Sequence, residues 1–146
     1  MSVNIERFID SVKEIITEKG LTVTAFANFL GIKQSCLSKW LNGENTPSLE
    51  YVILLADKTG FSVDYLFCIK DEAKFKPNGN RSCFAERLQT LLDDKAISKN
   101  KLAKECGVQS STVSKWLLRG QLPKPETAIK LADFFDCSID YLVGRE

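Results

Sequence analysis

Residues 35–41 read SCLSKWL and residues 111–117 read STVSKWL, five identities in seven positions at a separation of 76 residues. Leu37, Trp40 and Leu41 fall at i, i+3 and i+4, and so do Val113, Trp116 and Leu117 in the second stretch. That spacing makes one apolar stripe on a helix and turns the intervening positions to the opposite face. The opposite face carries Gln34, Ser35, Ser38, Lys39 and Asn42 in the first stretch, and Ser110, Ser111, Ser114 and Lys115 in the second. Each stretch therefore predicts a short helix held by its tryptophan side, with a small, polar and cationic side left to the solvent.

The repetition extends well beyond the seven residues. A shift of 76 aligns Phe8 with Phe84 and runs without a gap to the end, with about 19 identities in 63 pairs. Ala27/Ala103, Gly31/Gly107, Pro47/Pro123, the block 55–57 against 131–133, and SVDYL at 62–66 against SIDYL at 138–142 are among them. Two copies are too few for a solenoid, which needs at least three. The reading is two domains, 1–69 and 83–146. Between them KDEAKFKPNGNRS, residues 70–82, forms a polar, turn-rich linker.

Within a copy the pattern is helical throughout. Phe8, Val12, Ile15 and Ile16 share a face and Gly20 supplies a stop. Thr22 fits an N-cap before Phe26, Ala27 and Leu30, and Gly31 fits a left-handed turn. Asn42-Gly43 ends the third helix, Ser48 fits the cap of a fourth, and Gly60 its stop. Ser62 precedes a fifth helix in which Asp64, like Asp140 in the second copy, favours the helix dipole. Ser98, Gly107 and Ser138 repeat the plan. The fold class expected is all-α: two tandem five-helix domains.

Composition narrows the function by exclusion. The longest apolar runs, such as YVILLA at 51–56, fall short of the roughly 20 residues of a membrane span. The opening MSVNIERFID lacks a basic region followed by an apolar stretch, so no signal peptide is expected and the protein reads as cytoplasmic. Five scattered cysteines, no CxxC and no histidine exclude the common zinc patterns. Cys106 and Cys137 align with Leu30 and Phe61 and should be buried, whereas Cys36 aligns with Thr112 and should be exposed, where oxidation would obstruct the helix face. No glycine-rich phosphate loop and no recurrent carboxylate pair suggest an enzyme, and no cofactor, metal or small-molecule ligand is expected.

The segments AFANFLGIKQSCLSKWLNGENTPSLEYVILLA and KLAKECGVQSSTVSKWLLRGQLPKPETAIKLA resemble the phage-repressor class of helix-turn-helix, the Cro-like or XRE-like family. The resemblance covers nearly all of both repeats. It implies five helices per domain, the third of which (about 33–42 and 109–118) enters the major groove of double-stranded DNA, with dimers on paired half-sites. Carried over by position, Gln34, Ser35 and Lys39 face bases, as do Ser110, Ser111 and Lys115, while Ser38, Asn42 and Ser114 lie nearer phosphates. Lys33, Lys99, Lys101 and Arg119 add candidate phosphate contacts. Glutamine can bond adenine in a bidentate manner and lysine can donate to guanine. Where the family places a phosphate-gripping glutamine at the start of the second helix, this chain has Val23 in one copy and Lys99 in the other.

Charge separates the copies. Residues 22–48 hold Lys33 and Lys39 against Glu44, a net +1. Residues 98–124 hold Lys99, Lys101, Lys104, Lys115, Arg119 and Lys124 against Glu105, a net +5. Each cation that displaces a phosphate counterion adds affinity and salt dependence. The second domain is therefore expected to be the stronger phosphate binder of a sequence-specific transcriptional regulator. A linker of about 13 residues reaches roughly 45 Å when extended. As a coil it reaches about 20 Å. A half-site spacing of about 34 Å is thus compatible with an intramolecular pseudo-dimer, or with a homodimer. The rival reading is a protein-interaction or dimerisation module in which one repeat, the first, keeps the fold without binding DNA.

Overall fold

A computed structural model describes residues 3–67 and 83–145, and the chain divides into two compact units, Met1–Phe75 and Lys76–Glu146. The expected linker, residues 70–82, lies outside the described residues. Among the described residues there are ten helices and no strand.

In the first unit α1 (Val3–Lys19) packs against α3 (Gln34–Leu41) and α5 (Val63–Leu66), while α2 (Val23–Leu30) packs against α3 and α4 (Leu49–Thr59). The expected face of α1 is buried: Phe8, Val12, Ile15 and Ile16 all lie in the core. Phe26, Leu37, Val52, Leu55 and Leu66 are buried as well, and the Phe8 ring lies 5.3 Å from that of Phe67. The second unit repeats the plan with α6 (Phe84–Lys95), α7 (Lys99–Cys106), α8 (Ser110–Arg119), α9 (Pro125–Phe135) and α10 (Ile139–Leu142). Its core gathers Phe84, Leu88, Leu102, Val113, Trp116, Leu131, Phe135 and Leu142.

The turn between the second and third helices has the same chemistry in both copies. Gly31 is left-handed (φ 79°), and the N–H groups of Gly31 and Ile32 both donate to the Ala27 carbonyl, at 2.9 and 3.0 Å. Gly107 (φ 69°) repeats it, with Val108 N–H donating to the Ala103 carbonyl at 2.9 Å. A Cβ at either glycine would meet nothing within 4 Å, so backbone conformation rather than space favours glycine there.

Four serine and threonine side chains cap as the sequence predicts. Thr22, Ser62, Ser98 and Ser138 accept from the N–H three residues on, at 3.1, 2.9, 3.2 and 2.9 Å. Ser48 stands at the N-cap of α4 in an extended conformation, but its side chain makes no cap bond. The dipole reading of Asp64 and Asp140 holds for their place in the chain but is incomplete. Both carboxylates are in a first turn, as expected, but both are buried, and Asp140 is paired with the buried guanidinium of Arg145. Arg145 N–H also donates to the Asp140 carbonyl at 2.8 Å, so the last helix and the segment after it form one closed unit. Nearby, Arg87 lies over the Tyr141 ring at 4.1 Å and donates to the Tyr141 carbonyl at 3.3 Å, tying α6 to α10.

Two left-handed stops differ between the copies. Where the first uses Gly20 and Gly60, the second uses Ala96 (φ 53°) and Asp136 (φ 52°). A side chain in this region costs roughly 1–2 kcal/mol, less for aspartate, against about 0.5–1 kcal/mol of extra unfolded-state freedom for glycine. Ala96→Gly should therefore stabilise the second unit by about 0.5–1 kcal/mol, and Asp136→Gly by less. Chemical denaturation checks this, and an unchanged or lowered midpoint for Ala96→Gly would contradict it. Asp140→Ala removes the carboxylate paired with the buried Arg145 guanidinium and should cost about 3 kcal/mol, whereas a loss under about 1 kcal/mol would mean that the pair is solvated.

Candidate nucleic-acid interface

Eight or ten residues are too few for a helix to be stable alone, so the face that α3 and α8 bury is fixed by the core. Leu37 and Trp40 are 0 and 4% exposed, and Val113 and Trp116 are 0 and 2% exposed. Trp40 meets Tyr51 edge-on at 5.2 Å, and Trp116 meets Phe84 at 6.1 Å. The tryptophans are core residues and are not available for stacking on bases. Leu41 and Leu117 complete the stripe, each half-buried.

The residues expected to face DNA fall on the other side. Gln34, Ser35, Lys39 and Asn42 are exposed, Ser38 is half-buried, and Lys33 stands exposed at the N-cap of α3. In the second unit Ser110, Ser111, Lys115 and Arg119 are exposed and Ser114 is half-buried. Lys99 and Lys101 occupy the exposed first turn of α7. All six cations of 98–124 are exposed, so the +5 of that stretch stands at the surface of one unit. Lys124 is at the N-cap of α9, where it shares a recess of about 320 Å3 with Gln109, Thr112 and Gln121. Neither α8 nor α9 has a side-chain cap at its N-terminus, and helix N-termini of this kind attract anions.

Three features go beyond the sequence-based expectations. Ser110 Oγ donates to Asn100 Oδ1 at 2.7 Å, which links the first turn of α8 to the first turn of α7. Ser110 is thus positioned by a partner ten residues away, and Asn100 joins the candidate surface. Next, α8 is longer than α3, because the left-handed glycine after it moves from Gly43 to Gly120, one place beyond the aligned position. Third, Leu118, the first of the two added helical residues, is 78% exposed. The glycine shift is visible in LNGEN against LLRGQ, and could have been used to place the helix end.

In the first unit the corresponding region is less basic. A groove of about 380 Å3 beside the C-terminal end of α3 is lined by Glu6, Asp10, Lys13, Leu41 and Asn42, among others, bringing two carboxylates toward the expected interface. Phe29 on α2 is 41% exposed, with its ring beside Phe26 and under Lys19.

A family model described as Helix-turn-helix matches residues 12–66 and again 88–142. The chain belongs to this family of DNA-binding helix-turn-helix regulators, with two XRE-like copies in tandem. Comparison with curated proteins and with solved structures gives no match. No described helix is long and apolar enough to cross a membrane, and no described group of histidine, cysteine or acidic residues could hold a metal ion.

The cysteines do not all fall where expected. Cys106 is buried, and desolvation pushes its thiol up from the ordinary value, with Lys130 partly opposing. Cys137, which follows the helix stop at Asp136, is only half-buried, and Cys36 is half-buried rather than open. Cys83 is exposed. Among the described cysteines, thiol alkylation of the native chain at neutral pH should therefore modify Cys83 first and Cys106 last, as read by peptide mass spectrometry. Early labelling of Cys106 would contradict its burial.

Proposed function

We propose that the chain is a sequence-specific regulator that binds double-stranded DNA through the outward faces of α3 and α8, set in the major groove, with the second domain dominant. In this reading the domains are 1–69 and 83–146, joined by the linker 70–82. The observation that carries the asymmetry is the exposed +5 of residues 98–124 against +1 for 22–48. Lys99, Lys101 and Arg119 contact phosphates, with Ser114 at the groove wall and the N-termini of α8 and α9 adding anion affinity. Ser110, Ser111 and Lys115 face base edges, Lys115 donating to guanine. The first domain contributes sequence preference through Gln34, Ser35 and Lys39, with Lys33, Ser38 and Asn42 nearer the backbone. Tethering raises the effective concentration of one domain once the other is bound, so the chain acts as an intramolecular pseudo-dimer on two half-sites.

A second reading draws on the carboxylates at the end of α3 and the exposed Phe29: the first domain retains the fold as an interaction or dimerisation surface. Substitutions in the full chain separate the two. After selection of bound duplexes from a random pool, Lys99→Ala should weaken binding across sequences and reduce the slope of log K against log salt by about 1. Lys115→Ala should cost about 1–3 kcal/mol and relax preference at one base pair. Lys39→Ala should relax preference in the other half-site. If Lys39→Ala leaves affinity and selected sequence unchanged while Lys115→Ala does not, only the second domain reads DNA.

A further inference from the structure

We propose that Leu118 is a specificity-determining residue that reads the 5-methyl group of a pyrimidine in the major groove, thymine in ordinary DNA. The proposal rests on the reading that α8 enters that groove. Leu118 lies seven residues from Ser111, four from Ser114 and three from Lys115, so it shares their side of the helix. Its exposure of 78% is far above that of the other exposed large apolar side chains, Phe29 at 41% and Tyr51 at 39%, both of which have aromatic partners. The shift of the left-handed glycine to Gly120 makes Leu118 helical, whereas the aligned Asn42 is the C-cap that follows α3. The second copy has therefore gained two helical residues, Leu118 and Arg119, and the first of them presents an isobutyl group between Lys115 and Arg119.

An apolar group at that place has few matches on DNA. Base edges in the major groove are donors and acceptors, except for the methyl of thymine. Against that methyl the leucine is removed from water in apolar contact. Against cytosine N4 or guanine O6 it would cover a polar atom without bonding it. The discrimination therefore has an attractive and a repulsive part. The first domain, with Asn42 at this place, cannot make the same distinction, so the two half-sites should differ in sequence as well as in affinity.

The test uses the full chain and the duplex obtained by selection at stated salt. Each thymine of the half-site bound by the second domain is replaced in turn by deoxyuridine, which removes only the methyl. Wild type should lose about fourfold at one thymine, the equilibrium factor expected for one methyl-sized apolar contact. Leu118→Asn should bind that duplex more weakly and be indifferent to the replacement there, while other positions keep their sensitivities. Leu118→Met should retain sensitivity. Placing 5-methylcytosine or cytosine at that position separates a reader of thymine alone from a reader of either methylated pyrimidine. Wild type indifferent to every deoxyuridine, or Leu118→Asn with the wild-type profile, overturns the proposal. A changed sedimentation coefficient for Leu118→Asn with an unchanged profile assigns Leu118 to a protein contact instead, and also overturns it. Absence of binding to any duplex at low salt overturns the DNA-binding reading itself, which distinguishes that failure from a failure of Leu118.

Discussion

Burial of one tryptophan in each copy governs everything on the outer surface. Trp40 and Trp116 anchor helices that are too short to persist alone, and the anchored side dictates which residues remain outside. The left-handed Gly31 and Gly107 then fix the angle at which each helix leaves its predecessor. Because those parts are the same in the two copies, the exposed faces differ only where their sequences differ. The scaffold is held constant and the reading surface is free to vary.

That freedom has been used unequally. The second copy has six exposed cations, a longer third helix, and a Ser110–Asn100 link that steadies its first turn. The first has Gln34 and Asn42, fewer cations, and carboxylates near the end of α3. Electrostatic attraction to phosphates is sequence-independent and long in range, whereas base contacts act only once the helix is seated. The proposed function accordingly divides the labour, assigning most of the attraction to the second domain and sequence information to both. A family fold guarantees neither part by itself, since function resides in the particular side chains displayed.

Much of this was legible in the sequence, and the limits have physical causes. The apolar stripe, the glycine stops and the caps at Thr22, Ser62, Ser98 and Ser138 are local, and local spacing suffices to find them. The Asp140–Arg145 pair was read as a lone dipole effect, because its partner lies beyond the helix and buried pairing leaves no periodic trace. Ser48 carries the right residue type for a cap, yet residue type alone does not set the side-chain direction that a cap bond requires. Ser110 was correctly set on the outward face, but its link to Asn100 depends on how α7 and α8 pack. In the sequence Leu118 is only the residue that aligns with Asn42. Its significance emerges once the helix is seen to continue through it.

The central claim is that the two copies share a scaffold and differ as readers, the second binding the more strongly. Backbone amide NMR of the full chain, titrated with a selected duplex, tests it residue by residue. Early and largest shifts are expected in 98–124, especially at Ser110, Ser111, Lys115 and Leu118, with later shifts at Gln34 and Ser35 as the second half-site fills. Shifts of the buried Trp40 and Trp116 indoles should stay small. Equal and simultaneous perturbation of both units, or perturbation confined to the first, would contradict the claim.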